Sequence, residues 1–491
     1  MKRGGRRHAG SKYTDTFDIF AGMSSSAFSN TPAVFALHST RVLTPRGLKD
    51  MTVFISHGFI SDVQEGKVEL PEFPLTDLGK LVLMPGLIDS HVHVNEPGRT
   101  EWEGFETITR AAIAGGITTL VDMPLNASPV TTNTAAFQEK IQAAQGKLYC
   151  NMGFWGGVVP GNVAELEGLI ADGVLGFKAF LTHSGIDEFP NVTREDLRKA
   201  MPVIAKHDLP LLVHAELEEE HAGIAAFEKD PTNYLAYLRS RPKSWEDKAI
   251  ELMIALCKEF DCRVHLVHLS SADSLGQIKT ARRKGLPLTV ETCPQYLYFC
   301  AEDIPNGSTL FKCAPPIRER ANNDKLWKGL KDGLIDFVVT DHSPSTPDLK
   351  KITSGNLKEA WGGIASVQFS LPALWTQARK RGFSLRDISQ LMSTHVAAFI
   401  GFGNRKGQIK KGFDADLVVW DPEQKFKIEA DKIHFRHPVS PYVGEYLDGL
   451  VRQTYVGGKK VFEDGEIGPA PQGRILKRPV HDEAFTGFLN S

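Results

Sequence analysis

The sequence predicts an α/β fold: a (β/α)8 TIM barrel with a smaller β-sandwich module built from N- and C-terminal strands. From about residue 87, short apolar runs alternate with helical segments, which is typical of parallel strands joined by helical crossovers. The alternation gives roughly eight units, the number that closes a barrel. Outside this region, before residue 84 and after residue 401, short strand-like runs follow one another.

The strand-like runs at the two ends are expected to form one module. They cover residues 34–37, 52–55 and 81–83 on the N-terminal side and residues 417–420, 454–456 and 460–462 on the C-terminal side. Each set is too small to bury a core alone, so we expect the two sets to pair. The expected domain bounds are 33–84 and 401–477 for the module and 85–400 for a metal-dependent catalytic barrel.

The barrel elements follow in order along the chain. Apolar runs predict strands at residues 118–121, 148–154, 176–180, 211–213, 264–267, 288–290 and 336–339, after a first strand that ends in two histidines. Amphipathic segments predict helices that include 105–114, 163–171, 195–206 and 248–259. Residues 1–32 and 478–491 are expected to be disordered tails.

Composition restricts the class of protein. The 491 residues are 42% hydrophobic and carry a formal net charge of -2, so no overall field favours nucleic acid or anionic lipid. No apolar run is long enough to span a bilayer. The six cysteines form no Cys-x-x-Cys pair, which predicts reduced thiols in an intracellular protein. The cytoplasm and an organelle, mitochondrial or peroxisomal, both remain open.

The first barrel strand predicts a metal site. It ends in His91-Val-His93, and residues two apart in a strand point to the same face. Polar residues also mark later strands, and in a parallel barrel the catalytic residues lie at the C-terminal strand ends. The candidate metal ligands are His91, His93, His214, His268 and Asp341, and Lys178 lies in another strand of the same series.

Other histidines and Lys178 have plainer interpretations. His265 lies within an apolar strand and is expected to be a core residue or to support a ligand. His342 follows Asp341 and should face elsewhere. Lys178 alone could extend along the strand and pair with a carboxylate.

The candidate ligands suit hydrolysis. A divalent cation lowers the pKa of water to about 7, and two cations roughly 3.5–4 Å apart can also polarise a substrate oxygen. Imidazole and carboxylate ligands favour Zn²⁺, although Mn²⁺, Co²⁺ or Fe²⁺ could substitute. Asp341 is the candidate catalytic residue, which takes a proton from water and returns it to a leaving nitrogen.

These residues resemble the amidohydrolase superfamily, in the cyclic amidase branch that contains dihydroorotase, hydantoinase and allantoinase. The resemblance extends over residues 34–477. It implies two divalent metal ions and an N6-carboxylated Lys178, a carbamate made from CO2, that bridges them. It also implies that His91, His93 and Asp341 hold one metal and that His214 and His268 hold the other. A homo-oligomer, in particular a tetramer, is a further implication.

Within this branch the motifs are most similar to those of the allantoinases. The similar segments are the loop at residues 91–103, which contains the first two histidines, and residues 291–294, 313–318, 341–344, 360–364 and 440–444. Asn95 stands where dihydroorotases of this type carry a carboxylate-binding arginine, and an amide cannot replace that bidentate fork. Asn95 and Asn126 are the candidate substrate-binding residues, with a turn-forming role as the alternative for Asn126. Gln295 replaces a histidine of many bacterial members and receives no catalytic role.

The resemblance implies a hydrolase that opens the hydantoin ring of allantoin to give allantoate, in purine catabolism. A hydantoinase or dihydropyrimidinase activity is the alternative, because the ring and the metal site would be similar. A non-catalytic scaffold related to dihydropyrimidinase is a third possibility, which the complete ligand set disfavours. A neutral small molecule is therefore the expected partner, with no nucleic acid and no membrane.

Overall fold

The structure is a computed structural model that describes residues 32–478. The predicted tails lie outside the described residues, apart from positions 32 and 478. The described chain contains a series of short strands, many of them buried along their whole length. They are β1 Val34–Thr44, β2 Gly47–Ser56, β3 Phe59–Glu65, β4 Leu75–Asp77, β5 Val82–Pro85, β6 Leu87–Val92, β7 Ile117–Asp122, β8 Asn151–Phe154, β9 Gly156–Gly157, β10 Phe177–Phe180, β11 Leu211–His214, β12 Val264–Leu266, β13 Leu288–Thr292, β14 Phe337–Val338, β15 Leu417–Lys427, β16 Tyr446–Val456, β17 Lys459–Glu463 and β18 Glu466–Ile467.

Helices fill the intervals between the barrel strands and follow the last of them. They are α1 Phe105–Ala114, α2 Thr134–Ala144, α3 Leu166–Asp172, α4 Arg194–Lys206, α5 Ala222–Lys229, α6 Tyr234–Ser240, α7 Lys243–Phe260, α8 Leu275–Arg283, α9 Pro294–Tyr298, α10 Arg320–Lys331, α11 Ser370–Ala378, α12 Leu385–Ser389 and α13 His395–Phe399. Local chemistry sets their ends, as at α4, where Thr193 and Asp196 form a reciprocal capping box. None of the helices described is long and apolar enough to cross a membrane.

The strands at the two ends of the chain pair into one sheet, as predicted. Its order is β18-β17-β16-β15-β5-β1-β2-β3, and β4 pairs with β1. Strand β5 joins the two halves, since it pairs in parallel with β1 and antiparallel with β15. Apolar side chains from both halves, such as Leu37, Val53 and Val419, share one core cluster. This pairing lets each set bury surface that it could not bury alone.

The remaining strands form the predicted barrel. All of their pairings are parallel, from β6 to β8 and from β9 to β14. Strands β8 and β9 are one segment interrupted at Trp155, so eight strand positions result. The first and last positions meet where the His93 amide donates to the carbonyl oxygen of His342 over 2.8 Å. The predicted fold class is confirmed, and we retain 33–84, 85–400 and 401–477 as proposed domain bounds.

Candidate active site

A cavity of about 550 Å³ opens at the C-terminal ends of the barrel strands. The strand order explains its position, because every parallel strand delivers its last residues to the same end of the barrel. Seven of the eight predicted site residues line this cavity: His91, His93, Asn126, Lys178, His214, His268 and Asp341. Residues up to 250 positions apart in the chain are therefore brought together.

Three of the lining residues form a compact donor group. The Nε2 atoms of His91 and His93 lie 3.1 and 3.4 Å from Oδ1 of Asp341. Within the described chain, this group offers three ligand atoms that all lie within 4.8 Å of one another. Burial acts to raise the pKa of Asp341, but the two imidazoles outweigh it and lower that pKa well below its usual range. The carboxylate is therefore held ionised.

Lys178, His214 and His268 form the neighbouring part of the wall. The His214 and His268 rings are 4.6 Å apart between centroids, and His268 lies 5.5 Å from His91. Nζ of Lys178 and Nδ1 of His268 are buried, and neither has a hydrogen-bond partner among the described residues. Burial lowers the pKa of Lys178 to about 7 and holds the pKa of His268 well below its usual range. Burial therefore favours the neutral form of both groups.

Buried carboxylates fix two of these histidines. Nδ1 of His91 donates to Glu291 over 2.5 Å, and the other oxygen of Glu291 lies 2.9 Å from Nε2 of His265. Nε2 of His214 donates to Glu216 over 2.8 Å, and Arg241 donates to the same carboxylate. Such contacts set the orientation of an imidazole and leave its second nitrogen free for a ligand.

Backbone conformation marks the same residues. Four of the eight predicted site residues have a left-handed backbone without being glycine: Asn95 (φ 68°), Asn126 (φ 71°), His268 (φ 39°) and Asp341 (φ 50°). Such conformations cost about 1–3 kcal/mol each and persist where surrounding structure holds them, typically at functional sites.

The two predicted substrate-binding residues differ in position. Asn126 lines the cavity, its Nδ2 atom lies 3.3 Å from Nδ1 of His93, and its Oδ1 atom is buried without a partner among the described residues. Asn95 is fully buried and does not line the cavity. Its amide donates to the carbonyl oxygen of Pro344 over 3.3 Å. Asn95 therefore ties the loop after β6 to the loop after β14.

The plainer interpretations hold for His265 and His342, and the buried Cys293 also has a structural role. His265 is buried, bonds to Glu291 and Thr289, and stacks on Phe337. His342 turns away from the cavity, and its Nδ1 accepts the amides of residues 366 and 367. Burial raises the pKa of the Cys293 thiol well above its usual range, so this cysteine is an inert packing residue rather than a nucleophile.

The donor set fits a divalent metal centre. Imidazole and carboxylate are the ligands that Zn²⁺ and similar cations take. The buried, unpartnered nitrogens of Lys178 and His268 would be costly without a further partner. A divalent cation would supply one.

Sequence reasoning gave no role to several of these residues. Glu216 lies two positions after His214, so strand parity could have indicated their contact. No local signal marks Arg241 as the partner of Glu216, or Trp361 and Lys312 as part of the cavity wall. These contacts depend on how distant loops meet at the barrel mouth.

Comparisons with known proteins agree with this geometry. The Amidohydrolase family model matches residues 82–461. An allantoinase of Streptomyces avermitilis is 48% identical over 90% of this chain and 98% of its own length. A mitochondrial allantoinase of Aquarana catesbeiana is 49% identical over 77% and 78% of the two chains. A solved L-hydantoinase (dihydropyrimidinase) from Arthrobacter aurescens superposes with a TM-score of 0.85 at 29% identity, covering 90% of this chain and 99% of that one. The chain therefore belongs to the amidohydrolase family and, within it, to the allantoinases.

Proposed function

We propose that this chain hydrolyses the hydantoin ring of allantoin to allantoate, as one step of purine catabolism. The observation that carries the proposal is the convergence of all six predicted metal-site residues on one cavity at the barrel mouth. The likeness to allantoinases over almost the whole length of one relative supports the choice of substrate. A non-catalytic scaffold would have no need of this buried donor set.

The metal centre would contain two divalent cations, with Zn²⁺ the best match to the donors. His91, His93 and Asp341 would hold one cation, His214 and His268 the other, and a carbamate on Lys178 would be shared between them. When bound, such cations act as Lewis acids that lower the pKa of water and polarise an amide carbonyl. The buried and unpartnered Nζ of Lys178 supports carbamate formation, because addition of CO2 requires a neutral amine.

The other steps belong to side chains of this protein. Asp341 takes the proton of the attacking water and returns it to the departing ring nitrogen. Its carboxylate is suited to this because it is ionised and lies against His91 and His93. Asn126 contacts the substrate ring, since it lines the cavity next to His93. Asn95 stabilises the substrate site indirectly. Its side-chain amide donates to the carbonyl oxygen of Pro344 and so positions the loop after β14.

A hydantoinase activity is the second candidate, and the L-hydantoinase neighbour favours it. Position 95 argues against dihydroorotate, because asparagine cannot form the bidentate contact that arginine makes with a carboxylate. Allantoin and hydantoin share the ring that is opened, so substituent contacts decide between them.

The proposal is tested by measuring kcat/KM side by side for allantoin, hydantoin, dihydrouracil and dihydroorotate. The enzyme is first freed of metal and then reconstituted with Zn²⁺, with and without bicarbonate. We expect allantoin to be the best substrate and bicarbonate to increase the recovered activity. Faster turnover of hydantoin or dihydrouracil would instead show a hydantoinase or dihydropyrimidinase. If the protein took up no metal, the result would favour a non-catalytic scaffold protein.

Assembly and location complete the proposal. We infer a homotetramer from the resemblance to cyclic amidases, which light scattering on the purified chain would test.

An intracellular location, cytoplasmic or organellar, follows from six cysteines that are all free and buried. The mitochondrial relative supports an organelle, and microscopy of the full chain carrying a C-terminal fluorescent tag would distinguish the compartments.

A further inference from the structure

Arg99 joins three of the loops at the mouth of the barrel, and the reaction described above does not use it. It lies on the loop after β6, and its Nη1 atom donates to the backbone carbonyl oxygen of Asn126, on the loop after β7, over 3.0 Å. Its Nη2 atom donates to Oε1 of Glu188, on the loop after β10, over 2.7 Å. One guanidinium thus connects a residue of the cavity wall with a carboxylate outside that wall.

The surroundings of Arg99 hold its guanidinium in this place. Its central carbon lies 5.6 Å from the centre of the Trp102 ring, within the range of cation–π attraction. Only 20% of the Arg99 side chain is exposed, compared with 46% of the Glu188 side chain. The hydrogen bond to Asn126 is therefore better shielded from water and salt than the ion pair with Glu188.

The position of Glu188 is fixed by the next residue, Phe189. Phe189 is fully buried, and its ring meets Phe180 edge to face, with 5.8 Å between centroids. Phe180 in turn stacks on the ring of His214, with 4.7 Å between centroids. The loop after β10 is therefore packed against the cavity wall, and it presents the carboxylate of Glu188 to Arg99 from a fixed point.

The hydrogen bond from Arg99 acts on a cavity residue with a left-handed backbone. Asn126 has a φ of 71°, lines the cavity, and places Nδ2 3.3 Å from Nδ1 of His93. In residues 32–478 no donor other than Arg99 reaches the carbonyl oxygen of Asn126. Rotation that changes ψ of Asn126 turns this carbonyl group. A charged donor fixed on the oxygen restricts that rotation and so holds the residue in one orientation.

We propose that Arg99 is a positioning residue for the substrate ring. It holds the carbonyl oxygen of Asn126 and thereby keeps the side chain of Asn126 next to His93, while Glu188 fixes the guanidinium. Arginine suits this task because its planar fork presents several donors in a rigid arrangement. The inference rests on the proposed function, from which it takes the contact between Asn126 and the ring. Allantoin and hydantoin share that ring, so the same role applies to either substrate.

The test is a double-mutant cycle in the metal-reconstituted enzyme, with KM and kcat for allantoin measured in Arg99→Lys, Asn126→Gly and the double variant. Lysine keeps the charge but lacks the fork, and glycine removes the amide while tolerating the left-handed backbone. We expect each single substitution to raise KM about three- to tenfold, the range for one hydrogen bond, with kcat little changed. In the Asn126→Gly background, Arg99→Lys should change KM by less than about twofold, because the side chain that Arg99 positions is already absent.

Arg320→Lys is the matched control, because Arg320 pairs with the exposed Asp303 and neither residue lines the cavity. This variant should keep the wild-type constants. Equal rises in KM caused by Arg99→Lys in the two backgrounds would show that Arg99 acts independently of Asn126 and would overturn the inference. An unchanged KM in either single variant would overturn it too.

Two further arrangements keep the test decisive. If Arg99→Lys does not fold, Glu188→Ala takes its place in the cycle, since it leaves Arg99 present and removes the carboxylate that fixes the guanidinium. If the proposed function fails, the wild-type enzyme turns over hydantoin but not allantoin. The same cycle measured with hydantoin then decides the role of Arg99 separately.

Discussion

Asp341 combines three properties that rarely coincide in one residue. Its carboxylate is buried against His91 and His93, its pKa is held low by those imidazoles, and its backbone is left-handed. Each property has a cost, either in desolvation or in backbone strain. Their coincidence at the end of a barrel strand supports a chemical role better than any one of them does.

Asp341→Asn should abolish most turnover and leave the metal bound. Asparagine keeps an oxygen ligand of similar shape but cannot take up the proton of water, so kcat for allantoin should fall by about 10²–10⁴-fold. Steady-state kinetics and elemental analysis of the purified protein check the two halves of this statement. Asp187→Asn, on an exposed loop near the cavity, should behave as wild type. Near-normal turnover in Asp341→Asn would rule out the proposed proton transfer.

Helix α2 and strand β7 depend on a buried ion pair. Nζ of Lys140 lies 2.6 Å from Oδ2 of Asp122, and both side chains are almost fully buried. The second oxygen of Asp122 accepts the amide of Val94 over 2.8 Å. The pair therefore fixes the turn just after His93. It links helix α2, on the outside of the barrel, to the backbone next to a predicted metal ligand.

Lys140→Met should destabilise the protein by about 3–5 kcal/mol, because it leaves the charge of Asp122 buried without its partner. Urea unfolding of the metal-free chain measures the change. Lys206→Met removes an exposed partner of Glu167 and serves as the control, with an expected effect of about 0–1 kcal/mol. Equal unfolding midpoints for the two variants would show that the buried pair contributes little.

A buried carboxylate joins the β module to the base of the barrel. Asp416 lies at this junction, with Oδ2 2.5 Å from Nζ of Lys406 and 3.1 Å from Nδ2 of Asn151 on β8. Its other oxygen accepts the amide of Gly457, in the turn between β16 and β17, over 2.7 Å. One carboxylate thus connects the barrel with the C-terminal strands.

Asp416→Ala should weaken this junction. We expect a loss of about 1–3 kcal/mol, the cost of leaving buried donors unpaired, since Asp414 still partners Lys406. Thermal unfolding gives the loss, and hydrogen exchange should show faster exchange in β15 and β16 than in the barrel strands. Asp464→Ala, at an exposed pair with Arg452, is the control. Uniform exchange across both units would contradict a local role.

The amino-acid sequence was enough to predict the barrel, the pairing of the terminal strands and seven residues that line the cavity, whereas the eighth predicted site residue, Asn95, does not line it. These features follow from local patterns, because alternation fixes which face of a strand is buried and parallel strands end at one side of a barrel. Only the tertiary structure shows which distant side chains and carbonyl groups form hydrogen bonds with the site residues. Glu291 meets His91 across 200 positions, and Asn95 bonds to Pro344 instead of lining the cavity. Such contacts depend on barrel closure and on how the loops meet at its mouth, which no local pattern encodes.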